Sequence, residues 1–394
     1  MKALIYRYNS ICEPDIIATM QEFGIEVVEY TREMTVKDDT LSKSVDLLSH
    51  FLMDNPVDFV FSINFFPYVS DVCNIFKLRY ICWTVDSPVM ELFSTSIKNE
   101  WNRVFIFDKA QYEDVYAFNP DCIFYLPLAA RTQPKEELFK KTSEAEKMKF
   151  RHDVAFVGSL YTEKCPYDKL PANAPLSLRG YLDGIMRSQE LVYGYYFIED
   201  LLNDEVIEEF KKWHPSFYTQ NSEATFLTDK ITLSQLYIGN KISAMERVDT
   251  FKKLSEHFPT TIYTASDTSY MPKLNNLGTC KSLTEMPIVF NQSKINLNIT
   301  SKAIRTGLPL RIFDILSCGG FILTNYQAEL PELFSLGEDL VTYSSQEELL
   351  QLTAYYLSHD AERIAIAENG YGTLKNNYTY EIQLQKLLYK AFER

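Results

Sequence analysis

Two stretches of the 394-residue chain carry residue types at spacings that suit phosphate and ribose recognition. The first, Phe156-Val-Gly-Ser-Leu-Tyr-Thr-Glu-Lys164, reads as a strand, a turn at Gly158 and Ser159, and then a lysine. Glycine at the carboxyl end of a parallel strand lets backbone N–H groups approach a phosphate, and Lys164 adds a cation. The plainer alternative is a tight turn with a solvated Lys164. The second stretch, Arg305 to Asn325, reads as a loop, a helix from about Pro309 to Cys318, a Gly319–Gly320 stop and a strand. Arg311 and Asp314 are three apart and share one face near the helix start. There Arg311 offers a fork of donors to phosphate oxygens beside the positive helix end, and Asp314 can accept from ribose hydroxyls. The rival is an intrahelical ion pair with an ordinary Gly-Gly stop.

A general base is a separate requirement. Asp86 follows a strand and precedes Ser87-Pro88, so it sits where a doubly wound sheet opens its ligand crevice. It could deprotonate an acceptor hydroxyl, or it could cap a helix starting near Pro88. Asp108 shares that ambiguity. His152, just before a strand, is a lone histidine and more simply structural. Phe65 to Tyr68 and Tyr193 to Phe197 could stack against a sugar, although ordinary core packing is the simpler account of aromatic rings. Five isolated histidines, seven cysteines without a CxxC pair, and no DxD motif in a convincing context imply no metal site and no disulfide framework.

The elements that would position these residues alternate. Strand-like runs at 3–8, 25–30, 57–63, 79–85, 103–107 and 122–126 are separated by helical patterns at 16–23, 42–54, 68–76, 89–100 and 110–117. Buried strands alternating with helices predict a parallel sheet covered on both faces. Residues 133–150 are charged and read as a linker. The same grammar resumes with strands at 154–157, 260–264, 288–290, 295–299, 320–324 and 339–343, and helices close the chain. Residues 165–258 contain no comparable strand and read as a helical insertion. The expected architecture is α/β: a Rossmann-like domain over 1–132, a second over 151–375, and a final helix over 376–394.

Composition narrows the partners. Thirty-nine Lys plus Arg against 53 Asp plus Glu give a net charge of −14, a field that repels nucleic acid and anionic lipid. A local cationic pocket for one phosphate ligand survives, because short-range contacts outweigh a screened net charge. No run approaches the ~18 apolar residues of a membrane span. Met1 to Arg7 break their apolar stretch after four residues, so no secretion signal is expected. The expectation is a cytoplasmic protein with reduced thiols and no integral membrane segment.

Taken together, Arg311, Phe313, Asp314, Cys318, Gly319 and Gly320 resemble the R-x-F-E-x-x-A-C-G signature in carboxy-terminal domains of GT-B glycosyltransferases. The resemblance is greatest to the CgeB-like (spore maturation) group, related to the retaining family that includes sucrose and glycogen synthases. Phe156 to Lys164 is similar to the segment that opens the donor domain of the same fold. Tyr80 to Pro88, Val104 to Lys109 and Tyr125 to Ala130 resemble the amino-terminal domain that accompanies CgeB-like enzymes. The resemblance implies two Rossmann-like domains, with a nucleotide-sugar donor bound mainly by the second. Lys164 would contact the diphosphate, Asp314 the ribose, and Gly319–Gly320 would pack close by. Ser159 stands where the family usually has an arginine. Thr306 stands where its paired-glutamate motif has the first glutamate. Arg305 or Arg311 could replace the missing charge.

These readings combine into one expectation. The chain moves a sugar from a nucleotide-diphosphate donor, a UDP-sugar first among them, to a protein or glycan acceptor between the halves. No metal or other cofactor takes part, and surface glycosylation is the expected context. Asp86, Lys164 and Arg311 would be catalytic. Gly158, Ser159, Lys164, Arg305, Thr306, Arg311, Asp314, Gly319 and Gly320 would bind the donor. The rivals are a nucleotide-sugar epimerase and a non-catalytic sugar- or nucleotide-binding module. A NAD-dependent oxidoreductase ranks lower, because neither half opens with G-x-G-x-x-G.

Overall fold

The computed structural model describes residues 1–36, 39–163, 165–219 and 225–393. They divide into two compact units. The first contains Met1–Ala129, the described residues of 220–227, and 378–393; the second contains Ala130–Thr219 and Thr228–Asn377.

In the first unit six parallel strands form one sheet in the order β2-β1-β3-β4-β5-β6: β1 (Lys2–Tyr6), β2 (Glu26–Tyr30), β3 (Phe59–Ile63), β4 (Arg79–Trp83), β5 (Asn102–Ile106) and β6 (Ile123–Tyr125). Every residue of β3 is buried, as a central strand covered on both faces requires. The final helix, Tyr380–Phe392, folds with this unit. Phe392 packs edge-on against Phe59, ring centroids 5.6 Å apart, and Tyr380 meets Trp83 at 5.9 Å.

The second unit repeats the plan with β7 (Val154–Val157), β8 (Thr260–Tyr263), β9 (Asn275–Asn276), β10 (Ile295–Asn298), β11 (Ile322–Asn325) and β12 (Val341–Tyr343). Their order is β12-β11-β10-β7-β8-β9, all parallel. Between β7 and β8 the described residues carry helices and no strand; the longest runs are Leu176–Glu190 and Asn240–His257. The latter continues a π-helical segment, Thr232–Gly239.

Two local expectations fail for identifiable reasons. The helix expected over 89–100 is two short 3₁₀ turns, Met90–Phe93 and Thr95–Lys98. Ser94 is extended between them, and its hydroxyl caps the second turn through Ser96 N–H. The strand expected at 288–290 is part of a helix, Met286–Gln292, with Pro287 in its first turn. A short, wholly buried apolar run does not reveal its period, and the proline was the better signal. The 133–150 segment is largely helical (Gln133–Lys141 and Glu144–Lys147), and Glu136 pairs with Lys375 at 2.8 Å within the second unit.

Candidate functional site

In open parallel sheets ligands bind beyond the carboxyl ends of the strands. In the second unit those ends carry the turn after β7 and the loop from Ile299 to Pro309 after β10. One helix holds both. Gly239, Ser243 and Arg247 recur every four residues and so form one stripe. A Cβ at Gly239 would lie 3.2 Å from the Ala303 Cα, tighter than most real contacts, so a side chain there would push helix and loop apart by a few tenths of an ångström. The Ser243 hydroxyl accepts from Lys302 N–H at 2.9 Å and meets the Ser301 hydroxyl at 2.9 Å. Arg247, 8% exposed, donates to the Ser159 carbonyl and to the Ile299 carbonyl, each at 2.5 Å. Its guanidinium lies 4.2 Å from the ring centroid of Tyr161, a residue held at φ 62°. That left-handed backbone is rare for an aromatic residue.

The turn itself is internally satisfied. Gly158 N–H donates to the Tyr263 carbonyl, Leu160 N–H to the Ser266 hydroxyl, and Tyr161 N–H to the Ser159 hydroxyl. Glu163 accepts from Ser159 and Ser266, each at 2.8 Å. Burial alone would raise its pKa, but these hydrogen bonds outweigh that and hold it below the ordinary carboxylate value. Three N–H groups expected to greet a phosphate are thus taken. Lys164 lies outside the described residues.

The loop after β10 delivers charge. Lys302, 7% exposed, points its ammonium to within 3.6 Å of the buried Glu246 carboxylate and lies 4.2 Å from the Tyr193 ring centroid. Burial raises the Glu246 pKa, and Lys302 and Arg247 oppose that rise. Arg305 stands 3.8 Å from Glu199, which also accepts from Gln235 at 2.8 Å. Thr306 donates its hydroxyl to Glu329 at 2.7 Å. Glu329 is buried and comes from the loop after β11. A carboxylate therefore stands beside Thr306.

The remaining donor residues group elsewhere in the unit. Arg311 and Asp314 pair with each other at 3.4 Å on the helix Leu310–Ser317, and Asp314 pairs with Lys135 at 3.5 Å. Arg311 also packs on the Met286 sulfur and lies 5.4 Å from the Phe290 ring centroid. The intrahelical ion pair is thus formed. Gly319 (φ 65°) and Gly320 end that helix and precede β11, so they lie toward the amino end of the sheet. A Cβ on Gly320 would come 2.6 Å from the Phe290 carbonyl, which gives this glycine a packing reason of its own.

In the first unit Asp86 caps no helix. It is exposed beyond β4 and accepts from the Asn64 amide at 2.7 Å; the same amide nitrogen donates to the Tyr8 hydroxyl at 2.9 Å. Burial, and then the Asp86 charge, raises the Tyr8 pKa. Tyr8, Asn64 and Asp86 follow β1, β3 and β4 and gather at one end of the sheet. Asp108 does cap, accepting from Ala110 N–H at 3.3 Å at the start of the helix Lys109–Tyr116. His152 bonds the Tyr263 hydroxyl at 2.9 Å. Tyr68 bonds the Tyr6 hydroxyl, so these rings pack rather than present a platform. Among the described residues no three His, Cys, Asp or Glu side chains gather as metal ligands.

Comparison with known proteins decides the fold. The structure of a UDP-forming α,α-trehalose-phosphate synthase from Burkholderia xenovorans superposes over 99% of this chain and 98% of its own, at TM-score 0.55 and 10% identity. The fold is GT-B. A glycosyltransferase from Rickettsia africae shares it, covering 99% of this chain and 97% of its own at TM-score 0.54 and 11% identity. So does Anabaena HepE, solved with UDP-glucose, covering 98% of each chain at TM-score 0.52 and 9% identity. Residues 247–389 match the family model described as glycosyl transferase-like, so this part of the GT-B chain is a glycosyltransferase domain. No curated protein matches the sequence. The matched region begins at Arg247. In the sequence Arg247 and Glu246 fall in an amphipathic run of the helical insertion, and nothing there singles out either of them or Lys302. The Gly239–Ser243–Arg247 spacing was the available signal.

Proposed function

We propose that this glycosyltransferase takes its sugar from a UDP-sugar bound at the carboxyl ends of β7 and β10, without a metal ion, and delivers it to a protein or glycan acceptor. One observation carries the reading: in a chain of net charge −14, Arg247 ties together the turn after β7 and the loop after β10, and that loop carries two further cations, Lys302 and Arg305, each beside a carboxylate. Two proteins of the same fold, HepE solved with UDP-glucose and the UDP-forming trehalose-phosphate synthase, support the choice of nucleotide.

The chemistry explains why cations are wanted there. The bond from the anomeric carbon to the diphosphate oxygen breaks, its electron pair stays on the departing UDP, and the acceptor oxygen forms the new bond while losing its proton. Arg305, the most accessible of the three cations, with Lys164 and the backing of Lys302, meets the charge on the leaving group. Arg247 fixes the two loops. A preorganised donor of this kind contributes on the order of 3 kcal/mol to the barrier. Asp86 is the proposed acceptor-side base, since it is an exposed carboxylate with an amide orienting it. Thr306 and Glu329 face the sugar end of the donor.

Two measurements test this. A thermal-shift panel of UDP, GDP, CDP and dTDP should show UDP raising the melting temperature most, as binding to the native state requires. Donor turnover should persist in EDTA. Loss of turnover restored only by manganese sinks the metal-free reading, and a panel without any nucleotide response sinks the donor assignment.

A further inference from the structure

Three strand ends of the first sheet meet in one hydrogen-bond cluster, and Asn64 is its centre. Asn64 directly follows β3 with φ 58°, a left-handed backbone that asparagine tolerates better than most residues. Its amide has one workable orientation. The side-chain oxygen accepts from Val85 N–H at 3.0 Å and from Asp86 N–H at 3.4 Å, so the nitrogen must face the other way. That nitrogen donates to the Asp86 carboxylate at 2.7 Å and to the Tyr8 hydroxyl at 2.9 Å. The loop carrying Asp86 is pinned on both sides: Thr84 N–H bonds the Phe105 carbonyl at 2.9 Å, and the Ser87 hydroxyl donates to Asp108 at 2.7 Å. Asp86 is nevertheless exposed, and Asn64 and Tyr8 are half-buried beside it. Among the described residues no lysine or arginine pairs with the Asp86 carboxylate.

We propose that Tyr8 and Asp86 bracket the acceptor hydroxyl, with Asn64 as the positioning residue that sets the gap between them. The inference rests on the reading of Asp86 as the acceptor-side base. The two N–H bonds of an amide diverge by about 120°, so the two oxygens they serve stand about 4.8 Å apart. One further oxygen, bonded to both at ordinary hydrogen-bond lengths, fits that gap. The needs of the two partners are complementary. The Tyr8 oxygen receives the Asn64 amide and the Ser10 hydroxyl, which leaves its own proton to give. Burial raises the Tyr8 pKa, so that proton stays on the phenol. An ionised Asp86 can only accept. A hydroxyl between them accepts from Tyr8 and donates to Asp86. Its proton passes to that carboxylate, its oxygen bonds the anomeric carbon, and the carbon–oxygen bond to UDP breaks with its electron pair on the phosphate. The acceptor class follows from the same geometry. An amide nitrogen has no free lone pair for the Tyr8 proton, so the notch suits an alcohol.

The test follows UDP release by the full chain from UDP-glucose, UDP-galactose and UDP-N-acetylglucosamine, with p-nitrophenyl β-glucoside and water as acceptors, beside UDP calorimetry and thermal melting. Tyr8→Phe removes the proton donor, and Asn64→Gly removes the amide while keeping the left-handed backbone. Each should lower kcat/KM for the acceptor about tenfold or more and leave UDP affinity unchanged. Asp86→Asn should lower it about a hundredfold or more. On that background Asn64→Gly should change the rate by less than about threefold, a non-additivity that a packing role would not produce. Wild-type kinetics in Tyr8→Phe overturn the proposal, and so do losses that add in full on the Asp86→Asn background. Full activity in Asp86→Asn removes the base and the notch together. An inactive Asp86→Asn beside an unaffected Tyr8→Phe removes the notch and leaves the base standing. UDP release from none of the three donors by the wild type defeats both.

Discussion

Arg247→Ala is the most informative single change in this chain. The side chain makes two buried bonds from a charged donor to the Ser159 and Ile299 carbonyls, and stacks on Tyr161. Bonds to charged groups contribute about 1.5–3 kcal/mol each, and the ring contact about 1 kcal/mol. Removal should therefore cost about 4–7 kcal/mol, with two buried carbonyls left without donors. In a domain of 150–250 residues this lowers the melting temperature by roughly 8–28 °C. Arg247→Lys should recover only about half, since a point charge cannot serve two carbonyls with the geometry of a planar fork. Guanidinium denaturation followed by tryptophan fluorescence and far-UV dichroism reads the loss. The β7 and β10 loops should also lose their register, so UDP affinity should fall together with stability. A variant within about 0.5 kcal/mol of wild type would show that the two loops are held by something else. The stripe from Gly239 to Arg247 would then be incidental.

Other outcomes follow from the same geometry. Arg305→Ala and Lys164→Ala should each lower transfer about a hundredfold with melting nearly unchanged; steady-state kinetics with a UDP-sugar would reveal full activity if these cations are idle. Gly320→Ala should destabilise by about 1–3 kcal/mol through its clash with the Phe290 carbonyl and leave UDP affinity of the folded protein intact; a selective loss of UDP binding would put this turn back in the donor site. Burial raises the folded pKa of Glu246, so the native state holds its proton more tightly than the unfolded chain does. Stability contributed by Glu246 is therefore greatest at low pH and is lost as pH rises through that raised value. The unfolding free energy of wild type minus Glu246→Gln should fall over that window in pH-dependent denaturation, and a flat difference refutes it.

Much of the fold was legible because strands buried on both faces, such as Phe59–Ile63, announce themselves as short apolar runs between helical patterns. The failures have the same origin. Met286–Gln292 is too short and too buried for its periodicity to show, and Ser94 breaks a helix through a hydroxyl cap that composition hides. Arg305 and Thr306 were singled out through the family resemblance, and in the structure they stand beside Glu199 and Glu329. Arg311 and Asp314 were placed on a shared face correctly, yet they spend their charge on each other and on Lys135. Arg247 and Lys302 act by reaching across from distant segments, and no local pattern encodes a partner some fifty residues away.

The final helix has a consequence for biosynthesis. Because Tyr380–Phe392 packs into the core of the amino-terminal unit, through Phe392 on Phe59 and Tyr380 on Trp83, the packing of that unit is complete only after the whole of the second unit has been translated.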